Sequence, residues 1–393
     1  MKAYVYTEKA KVELRELPAP VLDCKVPEDA YAAILKPKYL APCSSDAHTV
    51  YAGPGPRREN LILGHEGLAE VVSTGEKVKD FHPGELVAVA AVMPEIPGGH
   101  GHEGAHFSAT KLGRNIDGMW SELFKVPDAD QNLIRIPEGV SPEAALMAVD
   151  MMATGYTAAY EAVSGADEDE NASLKGLSVL VIGSGAVGLM AIAAAHSMGA
   201  EKILCIGTPK NEINRVLAEK YGADIYISYR DGIILYNRDG KDGEPEKNGE
   251  ILIDERANAS SDPAVDTVLR LTKGEGVDRI LICGGGKDVY IQACDMLRYG
   301  SGIAVNVAYI EGTGTVELPI FSLGRGMAGK TFVFTLSKGG RKWVEKMFAE
   351  ITEGRVDPGL LVTSHMKGFD KIPEALYAMH KRPGGLIKVM VEI

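Results

Sequence analysis

The stretch that decides the fold is Leu177-Ser178-Val179-Leu180-Val181-Ile182-Gly183-Ser184-Gly185-Ala186-Val187-Gly188-Leu189-Met190. No charge stands between Lys175 and His196, and an uncharged run of that length can span a bilayer. Its internal order argues against a span. Residues 179–182 are apolar and mostly β-branched, which suits a buried strand. Glycines follow at 183, 185 and 188, and then an Ala/Leu/Met-rich segment with helix-forming composition. The expectation is therefore a buried strand, a tight turn and a buried helix.

Gly183-Ser184-Gly185-Ala186-Val187-Gly188 is a G-x-G-x-x-G. A strand before it, a helix after it and a second strand about 20 residues on give the pattern its meaning. The first glycine permits the turn, the second lets backbone approach a pyrophosphate, and the third lets helix and strand pack closely. The helix N-terminus would then face the phosphates with free N–H groups. Gly183, Gly185, Ala186, Val187 and Gly188 are the expected phosphate-binding positions.

Strand–helix alternation continues outward. Residues 202–206, 224–228, 277–283 and 302–307 read as strands, and 211–221, 264–272 and 289–297 as helices. Such alternation predicts α/β architecture: a doubly wound parallel sheet covered by helices on both faces. The first 150 residues are rich in Val, Pro and Gly, with short alternating segments such as 67–74 and 86–92, and read as many short strands. A helix near 342–353 and a closing strand at 386–393 complete the chain. The expected domains are 1–155, 156–310 with an acidic insertion near 231–262, and 311–393 returning to the first.

The second strand of the alternating region ends Cys205-Ile206-Gly207-Thr208-Pro209-Lys210. An NAD site usually places an acid there for the ribose 2′-OH. Here glycine leaves room for a 2′-phosphate, Thr208 can donate to it, and Lys210 can neutralise it. Tyr229, after the third strand, could stack on the adenosine. NADP is favoured, with NAD the alternative.

At 393 residues the chain fits two or three domains. Apolar residues make up 45% and charged residues 24%, so large-scale disorder is excluded. The net charge of −12 disfavours nucleic acid as a partner. Residues 167–170 and 231–262 carry −9 of that charge, which places it in solvated loops rather than in a substrate preference. Five scattered cysteines form no disulfide framework and suit a reducing, cytoplasmic compartment. Residues 1–8 show no signal-peptide core, and neither reading calls for a membrane.

Cys43, His65 and Asp150 supply a thiolate, an imidazole and a carboxylate, enough for an open zinc site. Two anionic donors make such a site formally neutral, leaving a Lewis acid able to stabilise an alkoxide. Their spacing alone is not diagnostic. The words around them are Ala41-Pro42-Cys43, Ser45-Asp46, His48-Thr49-Val50, Leu63-Gly64-His65-Glu66, Asp128-Ala129-Asp130, Asp150-Met151-Met152, Val187-Gly188-Leu189-Met190 and Lys367-Gly368-Phe369-Asp370. Over nearly the whole chain these resemble the zinc-containing medium-chain alcohol dehydrogenases, most of all their bacterial NADP-dependent secondary-alcohol branch.

The resemblance implies a mainly β, GroES-like catalytic domain beside a Rossmann domain. It makes Cys43, His65 and Asp150 the zinc ligands and Glu66 a carboxylate close to the metal. Ser45 would take the alcohol proton, His48 would pass it towards solvent, and Thr154 would touch the nicotinamide. Ser45 lies two residues after a ligand and faces the same cavity if that segment is extended.

The implied activity is a zinc-dependent transfer of hydride between nicotinamide and a secondary alcohol or ketone, or an aldehyde pair. The implied assembly is a homo-oligomer, tetramer or dimer, whose sheet continues between subunits at residues 302–307 through 318. No cysteine lies between 44 and 204, so the four-cysteine structural zinc lobe is missing. His100, His102 and His106 sit in its region but are not assigned a metal. The resemblance implies that a bulky pocket aromatic of the branch is replaced around Thr110-Lys111, which widens the expected pocket. Competing readings are a zinc-independent quinone or enone reductase, whose kind generally lacks the Cys/His/Asp set, and a non-catalytic cofactor-binding protein.

Overall fold

The computed structural model describes residues 1–53, 55–56, 58–93, 116–163, 172–238, 262–309 and 315–393. Residues 167–170, most of the acidic insertion, the three histidines at 100–106 and Thr110-Lys111 lie outside the described residues. Two compact units form: Met1–Ala153 with Ser337–Ile393, and Thr154–Leu336.

The first unit begins with β1 (Lys2–Glu8), β2 (Lys11–Glu16), β3 (Ala33–Leu40), β4 (Leu61–Ile62), β5 (Gly67–Thr74), β6 (Leu86–Val89), β7 (Phe124–Val126) and β8 (Leu133–Arg135). The second contributes β9 (Ser178–Ile182), β10 (Lys202–Gly207), β11 (Ile225–Ser228), β12 (Ile234–Asn237), β13 (Arg279–Ile282), β14 (Ile303–Asn306) and β15 (Thr331–Phe334). The chain then returns to the first unit with β16 (Val362–Lys367) and β17 (Lys388–Glu392).

In the first unit a larger sheet runs β16-β17-β3-β5-β6-β8, with β7 also on β3, and a smaller one runs β2-β1-β4. Their buried faces share one core built on Val5, Tyr6, Leu35, Leu40, Phe81, Trp120 and Phe124. Central β3 separates β17 from β5, pairing Val391 with Leu40 and Gly67 with Leu40. The residues just past the end of β3 are therefore flanked by the chain around β17 and the start of β5.

In the second unit the order is β12-β11-β10-β9-β13-β14-β15. With β12 set aside this is 3-2-1-4-5-6, the doubly wound dinucleotide-binding order. All neighbours pair in parallel except β12, which is antiparallel to β11. Val179 to Val181 have no exposure, as a strand covered on both faces requires. Helix Ala186–Ser197 is buried from Gly188 to Ala195. Its small residues admit close neighbours: a Cβ at Gly155 would stand 2.6 Å from the Ala191 nitrogen.

Three expectations need correction. The second unit runs to Leu336 rather than 310, because β15 adds a parallel strand that the mixed texture there concealed. Residues 302–307 are not the sheet edge, since β15 lies outside β14. The acidic tract is not all loop, because Ile234–Asn237 within it makes β12. Among the described residues no helix is long and apolar enough to cross a membrane.

Candidate metal centre and nucleotide turn

Cys43 follows β3 and precedes the short helix Ser44–Ala47 in extended backbone, φ −89° and ψ 158°. Asp46 closes that turn by accepting the Cys43 N–H at 3.0 Å. Its other oxygen lies 3.3 Å from His65 Nδ1. A carboxylate on Nδ1 fixes the imidazole so that Nε2 points the other way. Asp150 comes from a wide π-type turn, Ala148–Met152, after helix Pro142–Met147. Such turns recur at functional sites.

These separate segments meet. Asp150 Oδ2 is 3.7 Å from Cys43 Sγ and 3.3 Å from His65 Nε2. One donor atom each from Cys43, His65, Glu66 and Asp150 lies within 4.8 Å of the others. Donors about 2.0–2.3 Å from a tetrahedral zinc ion stand roughly 3.3–3.8 Å apart. The cluster therefore fits zinc in donor type and spacing.

Ser45 Oγ lies 3.4 Å from His65 Nε2. The expectation that an extended segment brings it there is corrected: Ser44–Ala47 is a helical turn, and that turn brings Ser45 to the cluster. His48 follows on a second π-type turn, His48–Ala52, half-buried, its N–H donating to the Ser44 and Ser45 carbonyls.

The electrostatics follow from burial. Burial pushes the Cys43 thiol up, and the Glu66 carboxylate adds to the push. Burial would lower the His65 pKa, but Asp46 and Asp150 outweigh it and hold the imidazole well above its ordinary value. Burial raises the Glu66 carboxyl to about 7, against the pull of Lys388.

Two residues here escaped the sequence reading. Asp46 stands three residues after Cys43, the spacing of a capping residue, and that signal was legible. Lys388 is the other: Nζ lies 2.7 Å from both Glu66 oxygens and 3.4 Å from the Pro42 carbonyl. Lys388 is 1% exposed and Glu66 also 1%. A lone lysine inside Leu386-Ile387-Lys388-Val389-Met390-Val391 signals a buried partner.

In the second unit Gly183 has φ +101°, and a Cβ at Gly188 would lie 1.7 Å from the Gly183 carbonyl oxygen. The turn therefore closes against the helix as the motif requires. Gly185 caps helix Ala186–Ser197, which starts with Ala186 and Val187. Gly188→Ala is expected to displace this turn by about 1 Å and to cost on the order of a hundredfold in kcat/KM; steady-state kinetics at saturating substrate and varied cofactor would check it.

Gly207 ends β10, Thr208 Oγ1 accepts the Lys210 N–H at 3.2 Å, and Lys210 is exposed. Tyr229 is 47% exposed, and its N–H donates to the Gly207 carbonyl at 3.1 Å. Its neighbour Arg230, which the sequence reading passed over, donates to the Tyr229 hydroxyl at 3.4 Å. Thr154 opens the second unit on helix Ala153–Glu161.

Residues 29–138 match the family model of the alcohol dehydrogenase GroES-like domain. An NADP-dependent isopropanol dehydrogenase of Thermoanaerobacter brockii is 36% identical over 92% of this chain and 92% of its own. One of Clostridium beijerinckii is 38% identical over 92% of this chain and 93% of its own. The solved alcohol dehydrogenase of Thermus sp. ATN1 superposes with a TM-score of 0.73 at 24% identity, covering all of both chains. The chain belongs to the zinc-containing medium-chain alcohol dehydrogenase family.

Proposed function

We propose that this protein is a zinc-dependent dehydrogenase that interconverts secondary alcohols and ketones with NADP(H). The observation that carries the reading is the buried convergence of Cys43, His65 and Asp150. The names of the two isopropanol dehydrogenases support both the substrate class and the cofactor.

Cys43, His65 and Asp150 would hold the zinc. Bound there, zinc would supply the Lewis acidity that polarises a carbonyl and lowers the pKa of a hydroxyl. Asp46 keeps the His65 ring in the orientation that offers Nε2. Lys388 engages both oxygens of Glu66, which leaves three protein donors and an open position. Ser45 takes the alcohol proton, and half-buried His48 relays it outward. Thr154 would border the nicotinamide, the group that would supply hydride chemistry when bound. Gly183, Gly185, Ala186, Val187 and Gly188 would carry the pyrophosphate. Thr208 and Lys210 would meet a 2′-phosphate beside Gly207, with Arg230 a further cation, and Tyr229 would cover the adenosine.

The test is a matrix of NADPH and NADH against small, aromatic and polycyclic ketones, with zinc measured on the same sample. The reading expects one zinc per chain and faster reduction with NADPH. Full activity in zinc-free protein supports the enone-type reductase instead. Cofactor binding without turnover on any carbonyl supports the non-catalytic reading. Ser45→Ala is expected to lower kcat by about 10²–10⁴-fold while zinc content stays at the wild-type level. A wild-type kcat in that variant removes Ser45 from the proton path.

The assembly we propose is a homo-oligomer joined along β15, in a cytoplasmic setting suited to five free cysteines. Among the described residues no strand covers the outer side of β15. Phe334 is 61% exposed, and the same unit exposes Ile320 at 70% and Met327 at 83%. Exposed apolar groups and an open edge together favour strand addition. Phe334→Glu is expected to shift the mass seen by light scattering to the monomer, and an unchanged mass would place the interface elsewhere.

A further inference from the structure

The residue at Gly207 occupies the place where NAD-binding relatives of this sheet carry an acid for the ribose hydroxyl. No left-handed backbone explains a glycine here, since Gly207 does not take a positive φ. What explains it is crowding. A Cβ built on Gly207 would stand 2.2 Å from the Tyr226 hydroxyl oxygen, 2.4 Å from Ser184 Oγ and 2.5 Å from Tyr226 Cζ. Real Cβ contacts do not reach such distances, so even alanine would force its neighbours aside.

Those neighbours are fixed. Tyr226 lies on β11, fully buried, and Ser184 lies in the glycine turn at 4% exposure. Cys205 pairs with Tyr226 and Gly207 with Ser228, so the tyrosine stands two residues before the end of the strand alongside. The Ser184 and Tyr226 hydroxyls are 2.8 Å apart. Tyr226 donates to the Thr208 carbonyl at 3.0 Å, which leaves Ser184 to donate to Tyr226. Asn214 in turn donates to the Ser184 carbonyl. A chain of hydrogen bonds thus runs from the phosphate turn through Tyr226 to the loop beyond β10. Breaking any link leaves a buried polar group unpaired.

We infer that Tyr226, with Ser184, is a specificity-determining residue for the cofactor: it fills the space of a side chain at 207 and so bars the acid that would select NAD. The role is one of positioning and exclusion, and it needs no contact between Tyr226 and the nucleotide. It rests on the reading of the second unit as a dinucleotide site. The preference for a 2′-phosphate is then set from below the site as well as by Thr208 and Lys210. Exchanging the surface residues alone would not reverse it.

The test compares Gly207→Asp, Tyr226→Val and the double variant with wild type. Melting of the cofactor-free proteins and titrations with NADPH and NADH are the readouts. Gly207→Asp alone is expected to lower the melting temperature and to weaken both nucleotides more than tenfold. In the Tyr226→Val background the same Asp is expected to cost less in melting and to reverse the preference, with NADH bound tighter than NADPH.

A Gly207→Asp single variant that melts like wild type and prefers NADH would overturn the inference. So would an Asp that costs the same melting loss and the same affinities in both backgrounds. Should Tyr226→Val fail to fold, Ser184→Ala with Tyr226→Phe removes both oxygens and keeps the ring. Gly207→Ala is then expected to lose less stability in that background than in wild type, and an equal loss counts against the inference. Wild-type protein that binds neither nucleotide sinks the dinucleotide reading itself, while the melting comparison still decides whether Tyr226 excludes a side chain at 207.

Discussion

Asp150→Ala is expected to lose bound zinc and to reduce kcat/KM by about a thousandfold or more. Asp150 Oδ2 is the atom that both Cys43 Sγ and His65 Nε2 approach, at 3.7 and 3.3 Å. Without it only a thiolate and an imidazole remain, and two donors do not make a closed-sided zinc site. The Lewis acid is worth several kcal/mol of charge stabilisation, and each 1.36 kcal/mol is tenfold in rate. About three powers of ten follow. Cys43→Ala removes the other anionic donor and is expected to behave alike. Metal analysis and kinetics on one preparation check the pair of losses together. Turnover at the wild-type rate in a variant shown to hold no zinc would end the zinc-dependent account.

Lys388→Met is expected to destabilise the protein by about 1 kcal/mol more at pH 8 than at pH 5, since it strands a buried carboxylate and each pH unit above the wild-type folded pKa is worth about 1.4 kcal/mol. Glu66 and Lys388 have almost no contact with water, and Glu66 sits among Cys43 and Asp150. In wild type, burial holds the Glu66 carboxyl at about 7 despite the lysine. Lysine 388, lowered by burial but raised more by Glu66, stays above its ordinary value. Removing the lysine takes away the term that pulls Glu66 down, so its folded pKa rises further.

A carboxyl whose folded pKa lies above its unfolded one stabilises fully below the unfolded value. That contribution is lost as pH rises through the folded value. The unfolded value is about 4.3, so the deficit of Lys388→Met relative to wild type should be small at pH 5 and open above about pH 7. Urea midpoints at pH 5 and pH 8 measure it. Adding Glu66→Leu should recover most of the loss at pH 8, because an apolar pair of similar volume replaces a buried ion pair at little cost. A deficit equal at both pH values would mean that lost packing, not a stranded charge, is responsible.

How much of this was legible in the chain differs by element. The strand–turn–helix at 177–198 declared itself because three constraints coincide there: a strand buried on both faces, glycines for a turn against a helix, and no charge. The ligands were legible only through the words around them. Cys43, His65 and Asp150 are spread over more than 100 positions, and no local periodicity marks them as neighbours. Sheet pairing around β3 and a wide turn at 148–152 create the contact. Asp46 carried a capping signal. Lys388 carried the signal of a charge in an apolar strand, but its partner lies far along the chain, and only β17 lying beside β3 brings it to Glu66. β15, Thr331-Phe332-Val333-Phe334, has strand composition but only four residues, and its place outside β14 comes from tertiary pairing rather than from the local pattern.

By itself the sequence determined the dinucleotide turn, the class of the sheet that follows it and the chemical types available for a metal. Each of these depends on residues close together in the chain, whose preferences act before the chain is folded. The tertiary structure alone decided which distant side chains touch: Lys388 on Glu66, Asp46 on His65, and Tyr226 in the space above Gly207. Those choices depend on strand order and register, and the free energy that fixes them comes from burying whole faces rather than from any local pattern.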